Sequence, residues 1–167
     1  MLEKRGTVLD TARTVSRLLR DHNVKGAVIG GIAVVLHGHV RTTKDVDVLV
    51  RQPTEDFSRV LTAAGASFDP ARREFTLDGV PIHLVPESMA VPSPGEPIEL
   101  DGVTTLTLPD LINLKLRSGI KNLARAQDIA DVVGLIRHHR LTTAFASQID
   151  KPLRAEFRKL VKAVGQN

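Results

Sequence analysis

The sequence predicts an α/β (α+β) protein in which helices flank a mixed β-sheet and further helices follow it. From residue 24 the chain alternates apolar strand patterns with helical patterns, which is typical of an α/β sandwich. Later, short apolar runs flank Asp78-Gly79 and Gly102, which favours two β-hairpins. Beyond residue 108 the apolar spacing becomes helical. We therefore expect an α/β core over residues 1–108 and a helical segment over residues 109–167, packed into a single compact unit.

The first half of the chain carries predicted elements in this order: a helix over residues 7–22, a strand over 24–29, a short helix to residue 36, a strand that opens at Asp45 and a helix over 53–64. The first helix has an apolar stripe on one face and ends at Asn23. The last has proline at its first turn, acidic residues at its positive end and Gly65 as its stop.

The second half carries hairpin strands over residues 73–77 and 80–85, a proline-rich loop over 86–97, hairpin strands over 98–101 and 103–108, and helices that begin at Pro109, near residue 123 and at Pro152. We expect the first of these helices to stop near Gly119. The last helix is apolar on one face and mostly basic on the other, so it suits packing within the chain, a homodimer or contact with nucleic acid.

Composition limits the chemistry that is open to this chain. Its 167 residues include no cysteine, which excludes disulfides and thiolate metal sites and fits a reducing cytoplasm. No signal-peptide pattern and no long apolar run is present, so we expect a cytoplasmic protein without a membrane partner. Aromatic residues are limited to five phenylalanines, which argues against a base-stacking platform for single strands.

Charge is distributed unevenly along the chain. Residues 1–25 carry six basic and three acidic side chains, residues 26–110 carry six and twelve, and residues 111–167 carry eleven and four. An acidic centre between basic segments suits a metal site whose anionic substrate is held by the flanks. The alternative is that the basic side chains only solvate helix faces.

Two carboxylates follow a glycine turn after a short interval. Asp45 and Asp47 alternate with valines, so both project from one face of a strand. Neighbouring like charges are best tolerated with a cation between them, and Mg²⁺ (or Mn²⁺) suits such oxygen ligands. Gly30 and Gly31 open a short helix, where bare backbone suits a phosphate. Singly, these features predict only a strand-to-helix turn and a solvated strand; together they favour phosphoryl transfer.

These residues resemble the signature of the nucleotidyltransferases of the DNA polymerase beta superfamily. The signature is an apolar residue with Gly-Gly or Gly-Ser, a spacer, and then two acids separated by one apolar residue. Here it reads Ile29-Gly30-Gly31, thirteen residues and Asp45-Val46-Asp47-Val48. Arg41 and Thr43 in the spacer are similar to the branch of minimal and toxin-antitoxin-type members.

The resemblance implies transfer of a nucleoside monophosphate from an NTP to an acceptor hydroxyl, with Mg²⁺-assisted release of pyrophosphate. The residues that it implies for binding fall into three groups: Asp45 and Asp47 for the metal ion, Gly30 and Gly31 for the β- and γ-phosphates, and Arg41 or Lys115 for developing charge. The acceptor is left open among an RNA end, a protein hydroxyl and a small molecule such as an antibiotic, and so is the choice of NTP.

The chain departs from the family at residue 83. A third carboxylate commonly occupies this place, whereas here the strand carries His83, and imidazole suits softer ions better than Mg²⁺. If Asp78-Gly79 is the hairpin turn, Glu74 lies opposite His83 on the same face. Glu74 would then brace His83 as a base or an auxiliary ligand, or supply the missing carboxylate itself. The alternative is an ordinary surface pair, and a slip of one residue would separate the two side chains.

A helical element downstream also resembles the family. Gln127-Asp128 with Asp131 resembles the family's Lys-Asp-x-x-Asp-Val element, with Gln127 in place of the usual lysine; the resemblance implies a mainly structural role, pairing with basic groups. Asp128 and Asp131 are three residues apart and share a helix face. Four histidines that lack the spacing of a zinc site are expected to be structural or solvent-facing: His37, His39, His138 and His139.

The competing interpretation is a catalytically degenerate protein of the same fold. Such a protein would bind a nucleotide or RNA, or act as an interaction partner in a toxin-antitoxin system. His83 favours this interpretation, because it replaces an acid. The glycine pair and both aspartates argue against it.

Overall fold

The described residues include a seven-stranded mixed sheet together with helices, which confirms the predicted α/β class. The computed structural model describes the backbone of residues 2–165 and the side chains of residues 8–122 and 124–165. Its helices and strands are, in chain order, α1 (Leu2–Asp21), β1 (Gly26–Ile29), α2 (Gly30–Leu36), β2 (Val46–Val50), α3 (Thr54–Ala63), β3 (Ser67–Asp69), β4 (Glu74–Leu77), β5 (Val80–Pro86), β6 (Ile98–Leu100), β7 (Val103–Thr105), α4 (Leu108–Lys121), α5 (Ala126–His139) and α6 (Arg154–Gly165).

The chain divides into two compact units. The sheet unit comprises Met1–Leu36 and Arg41–Leu106, and the helical unit comprises His37–Val40 and Thr107–Asn167. The break after Leu106 lies two residues before the predicted boundary. The assignment of His37–Val40 to the helical unit was not anticipated, because sequence patterns do not report contacts between distant segments. That the chain forms a single compact unit stays a prediction.

The strands of the sheet lie in the order β3-β4-β5-β2-β1-β7-β6. The inner strands β1 and β2 are antiparallel, β2 runs parallel to β5, and β1 runs parallel to β7. The outer strands join as antiparallel hairpins. This order places β2, which carries Asp47, between β1 and β5 near the middle of the sheet.

One face of β2 is fixed by the hydrophobic core. Val46, Val48 and Val50 are buried in a cluster that also contains the apolar stripe of α1 and side chains of α3. Burying each valine stabilises the fold by about 1.5–3 kcal/mol. A slip of one residue would turn these valines outward and the aspartates inward, so the core holds Asp47 on the opposite face.

A two-residue turn sets the register between β4 and β5. Asp78 and Gly79 have φ angles of 51° and 76°, as a tight hairpin turn requires. Phe75 then pairs with Ile82, and this register confirms the predicted one. Strand β3 was not predicted; it pairs with β4, and Phe68 packs on Phe75 with ring centroids 4.7 Å apart.

Several predicted helix boundaries differ from the structure. Helix α1 begins at Leu2 rather than residue 7, and short 3-10 turns precede α5 and α6 where α-helix was expected. The predicted stop near Gly119 is wrong, because α4 runs on to Lys121. A Cβ atom at Gly119 would lie 2.7 Å from the Ile129 side chain, so this glycine lets two helices approach. Among the described residues, no helix has both the length and the apolar composition needed to cross a membrane.

The proline-rich loop over residues 86–97 is irregular apart from a short 3-10 helix, Glu87–Met89. Arg51, which follows β2, holds the end of this loop. Its Nη2 atom donates hydrogen bonds to the carbonyl oxygens of Pro94 and Gly95 at 2.8 and 2.7 Å, and its Nε atom lies 3.4 Å from Glu87. The loop is therefore anchored to the sheet unit.

Candidate active site

The glycine turn and the second aspartate lie against each other. Ile29, the last residue of β1, pairs with Asp47 on the antiparallel strand β2. Gly30 follows with a φ angle of +71°, and a Cβ atom at this position would overlap the carboxylate of Asp47. Only glycine combines this backbone conformation with this contact. The carboxylate therefore faces bare backbone, as the sequence predicts.

The loop before Asp45 covers the second glycine of the turn. A Cβ atom at Gly31 would lie 2.7 Å from the Thr43 hydroxyl and 2.9 Å from Nη2 of Arg41. The guanidinium of Arg41 also donates a hydrogen bond to the Thr42 carbonyl at 3.0 Å. One cation thus lies at the glycine turn. Thr43 was not among the predicted site residues, and its place directly before the aspartates was the available signal.

His83 lies beside both aspartates. It pairs with Asp47 across the parallel strands β2 and β5. Its Nδ1 atom is 3.1 Å from Oδ1 of Asp47 and 3.6 Å from Oδ2 of Asp45. The exposed fractions of the three side chains are 33% for His83, 30% for Asp47 and 40% for Asp45. The group is therefore open to solvent, and so is accessible to an ion or substrate.

Glu74 completes the group from the neighbouring strand. Its Oε2 atom is 2.8 Å from Nε2 of His83, and its side chain is only 19% exposed. The predicted contact between the two residues is thus present. Together Asp45, Asp47, Glu74 and His83 are called the acid–imidazole cluster below.

The carboxylates change the acidity of the imidazole. Partial burial lowers the pKa of His83, but hydrogen bonds to Glu74 and Asp47 and the negative charges of Asp47 and Asp45 outweigh burial. The net effect raises the pKa of His83 above its ordinary value of 6.5. The cluster thus favours positive charge at its centre.

The donor atoms of the cluster converge as metal ligands do. One ligand atom from each of Asp45, Asp47 and His83 lies within 4.8 Å of the others, and no second group of this kind occurs among the residues that the structure describes. Two carboxylates fit a divalent cation that also binds substrate phosphates. The imidazole adds a nitrogen donor, which suits first-row transition ions.

Comparison with known proteins identifies the fold. The chain matches no family model and no curated protein. It is similar over 98% of its length to the solution structure of the antibiotic-resistance factor ANT(2'')-Ia, with 97% of that chain covered, 14% identity and a TM-score of 0.61. It is also similar to an antigenic nucleotidyltransferase-like protein from Paracoccidioides brasiliensis: 95% of this chain and 96% of that chain are covered, with 15% identity and a TM-score of 0.58. A candidate nucleotidyltransferase from Thermotoga maritima is similar over 74% of this chain and 91% of that chain, with 17% identity and a TM-score of 0.56.

The chain has the nucleotidyltransferase fold. The resemblance predicted from residues 29–48 is thereby confirmed at the level of structure. Within this nucleotidyltransferase fold, Gly30 and Gly31 lie at the end of β1, and the acids lie on or next to the adjacent strand β2.

The helical unit of this nucleotidyltransferase fold contains a second charge cluster, in which Lys115 and Asp131 are buried. Nζ of Lys115 is 2.8 Å from Oδ1 of Asp128 and 3.0 Å from Oδ2 of Asp131, and Gln127 donates to Asp131 at 2.9 Å. We call these four residues the lysine cluster. The expected pairing of the two aspartates with a basic group is present. The phosphate role of Lys115 stays a prediction, since its ammonium is already paired with two carboxylates.

The four histidines that were expected to be structural or solvent-facing all lie in the helical unit: His37, His39, His138 and His139. Nε2 of His139 is 2.6 Å from the carbonyl oxygen of His37. Cβ atoms at Gly38 and Gly134 would overlap the rings of His138 and His39, respectively. The segment His37–Val40 therefore packs on α5 by placing histidine rings over glycines, in line with a structural role.

Proposed function

We propose that this protein is a nucleotidyltransferase that transfers a nucleoside monophosphate from an NTP to an acceptor hydroxyl and releases pyrophosphate. The observation that carries the proposal is the contact of Asp47 with the bare backbone at Gly30, in a cluster open to solvent. Asp45, Asp47 and His83 are 30–40% exposed, so a cation and an anionic substrate could reach them from solvent. Burial under apolar atoms would have excluded both.

A divalent cation, Mg²⁺ or Mn²⁺, is part of this proposal. Asp45 and Asp47 would hold it, and the convergence of their oxygens with Nδ1 of His83 supports the fit. Such an ion would supply charge neutralisation for the triphosphate and for the departing pyrophosphate.

Residues at the glycine turn would bind the phosphates. Gly30 and Gly31 carry no side chain of their own, which lets other groups approach their backbone closely: Asp47 lies against Gly30, and Thr43 and Arg41 lie against Gly31. Arg41 lies next to Gly31, where its guanidinium would offset negative charge that develops on the phosphates. We base the proposed cationic contact on Arg41 rather than Lys115, because Lys115 is buried between Asp128 and Asp131.

The acceptor hydroxyl would approach on the open side of the acid–imidazole cluster. His83, held by Glu74, would act there as a proton acceptor or as a further ligand. A crystal structure of ANT(2'')-Ia contains adenylyl-2''-tobramycin, the adenylylated form of a small molecule; its TM-score with this chain is 0.62, at 13% identity. An adenylyl donor and a small-molecule acceptor are accordingly the first combination to test, beside RNA ends and protein hydroxyls.

The test is a transfer assay with each of four NTPs labelled at the α-phosphate. The protein is incubated with one labelled NTP, a divalent ion and a panel of aminoglycosides, RNA or cell extract, and labelled products are separated by size and class. Transfer of α-label with release of unlabelled pyrophosphate supports the proposal. Absence of labelled product with every NTP and acceptor class would contradict it.

A second candidate function is nucleotide or RNA binding without transfer. It is favoured by one observation, the imidazole of His83 next to the aspartates in the place of a third acid. Calorimetry with each NTP and Mg²⁺, together with the transfer assay, separates the candidates. Metal-dependent NTP binding together with transfer supports the enzyme, whereas NTP binding without transfer, or RNA binding that weakens steeply with salt, supports the second candidate.

A further inference from the structure

We propose that Asp45, Asp47 and His83 form a site that prefers a divalent ion of the first transition row, such as Mn²⁺, to Mg²⁺, and that Glu74 is the positioning residue for the imidazole. This inference deepens the proposed function and rests on it for its biological role. It concerns which ion the site selects and why.

The positions of the donor atoms suit one ion. Two ligand atoms at right angles and about 2.1 Å from an ion are about 3.0 Å apart, and a wider ligand angle gives slightly more. Nδ1 of His83 lies 3.1 Å from one aspartate oxygen and 3.6 Å from the other. β2, β5 and the residue that directly precedes β2 thus bring one atom from each side chain to within 4.8 Å of the others.

The second ring nitrogen is oriented by a carboxylate. Nε2 of His83 lies 2.8 Å from Oε2 of Glu74 and Nδ1 lies 3.1 Å from Oδ1 of Asp47, so in the tautomer that binds an ion Nε2 would donate its proton to Glu74. Nδ1 is then the atom with a lone pair, and it faces Asp45 and Asp47. A histidine that is bonded to a carboxylate through one nitrogen and to an ion through the other is the usual arrangement in protein metal sites.

The resulting donor set has two oxygens and one nitrogen from the protein. Mg²⁺ is a hard ion that prefers oxygen and keeps its water, whereas imidazole binds Mn²⁺, Co²⁺ and Zn²⁺ more readily. A carboxylate at position 83 would have given three oxygens. The imidazole should therefore shift the preference of the site from Mg²⁺ toward transition ions.

The experiment measures ion binding without any nucleotide. The concentration of free Mn²⁺ is measured by electron paramagnetic resonance as the protein is titrated with Mn²⁺. The affinity for Mg²⁺ is obtained from its competition with bound Mn²⁺. The measured quantity is the ratio of the two affinities, compared between the wild type and His83→Asp. We expect the substitution to lower the preference for Mn²⁺ by about 10-fold. The matched control is His22→Asp, a change at an exposed histidine, and it should leave the ratio unchanged.

A spectroscopic measurement reports whether a nitrogen atom of His83 coordinates the bound ion. Bound Mn²⁺ in the wild type should show electron spin-echo modulation from a directly coordinated ¹⁴N nucleus, and His83→Asp should abolish it. This test needs only the wild-type protein, so it holds even if the variant does not fold. An unchanged ratio in a folded His83→Asp variant, or a wild-type signal without nitrogen modulation, would overturn the inference.

Two substitutions at Glu74 test its positioning role. Glu74→Ala removes the acceptor for the ring proton and should weaken Mn²⁺ binding by about 10–100-fold. Glu74→Gln keeps an oxygen at this place, so it should retain the nitrogen modulation and lose less affinity. Equal Mn²⁺ binding in the wild type and Glu74→Ala would overturn the assigned role.

Failure of this inference and failure of the proposed function give different results. Nitrogen modulation in a protein that transfers no label supports the ion assignment while contradicting the enzyme. Efficient transfer with Mg²⁺ in a protein whose bound Mn²⁺ lacks nitrogen modulation supports the enzyme and overturns the ion assignment.

Discussion

The two units each contain a cluster with two aspartates and one basic side chain, but the clusters differ in burial. In the lysine cluster, the exposed fractions are 9% for Lys115, 14% for Asp128 and 0% for Asp131. In the acid–imidazole cluster, both aspartates and His83 are 30–40% exposed. Similar residue types thus occur in a closed and an open arrangement.

Charge balance separates the clusters further. The lysine cluster combines one lysine with two acids, and the side-chain amide of Gln127 donates a hydrogen bond to Asp131. The acid–imidazole cluster has three carboxylates and one imidazole, so an excess of negative charge faces solvent. The solvent exposure of the acid–imidazole cluster is what the proposed binding of a divalent cation needs, whereas the burial of Lys115 and Asp131 fits a structural role for the lysine cluster.

The largest expected effect is loss of transfer after removal of both open aspartates. Asp45→Asn with Asp47→Asn should reduce nucleotide transfer to the level without enzyme, because the amides cannot hold a divalent ion. Folding should persist, since these side chains are partly exposed. Transfer of α-labelled nucleotide and the thermal unfolding midpoint are the measurements.

The control for that variant replaces two exposed aspartates away from the cluster, Asp21 and Asp56, with asparagine. It should transfer label at the wild-type rate. Wild-type transfer by the Asp45→Asn, Asp47→Asn protein would remove the metal role of these residues and the contrast between the clusters.

The next largest effect is a loss of stability when the lysine cluster is broken. Lys115→Met leaves the buried carboxylate of Asp131 without its cation and should lower the free energy of unfolding by about 3–5 kcal/mol. Urea unfolding followed by circular dichroism measures this. Lys121→Met, at the exposed end of the same helix, is the control and should unfold near the wild-type midpoint. Wild-type stability with loss of NTP binding in Lys115→Met would instead give Lys115 the phosphate role.

A matched pair of glycine substitutions sharpens the comparison. A Cβ atom at Gly30 would overlap Asp47, and one at Gly134 would overlap the ring of His39. Each alanine variant should lose about 1–3 kcal/mol of stability through overpacking. Only Gly30→Ala should also lose transfer, because it displaces a site carboxylate. If Gly30→Ala and Gly134→Ala lose equal stability and retain equal transfer activity, the result would argue against a phosphate-binding turn at Gly30.

The smallest expected effect is a pH dependence of stability in metal-free protein. Folding raises the pKa of His83, so its contribution to stability is present below its ordinary pKa and is lost as pH rises through the folded value. Urea midpoints in a chelator should therefore fall from about pH 6 to about pH 8, and fall less in His83→Gln. An identical slope in both proteins would show that His83 gains no charge stabilisation on folding.

Local sequence patterns predicted much of the sheet and of the site. The Asp78-Gly79 turn fixes its own register, so the approach of Glu74 to His83 followed from counting residues. The position of Asp47 beside the glycine turn was expected from the spacing of the two motifs and from the family that they resemble. Both depend on short-range geometry, which a sequence encodes directly.

Contacts between distant segments were not predictable in the same way. The pairing of Lys115 with Asp128 and Asp131 depends on how two helices approach, and Gly119 allows that approach rather than ending a helix. The membership of His37–Val40 in the helical unit depends on ring-over-glycine packing with residues about a hundred positions away. The three-residue strand β3 is too short for a periodic signal.

The tight hairpin turn has a consequence for variation among chains that share this arrangement. Adding or deleting one residue between β4 and β5 would replace Glu74 beside the imidazole with Arg73, a cation, or Phe75, an apolar ring. The length of the turn thus decides whether Glu74 lies opposite His83. A change of length there would move Glu74 away from the imidazole without altering any residue of the acid–imidazole cluster.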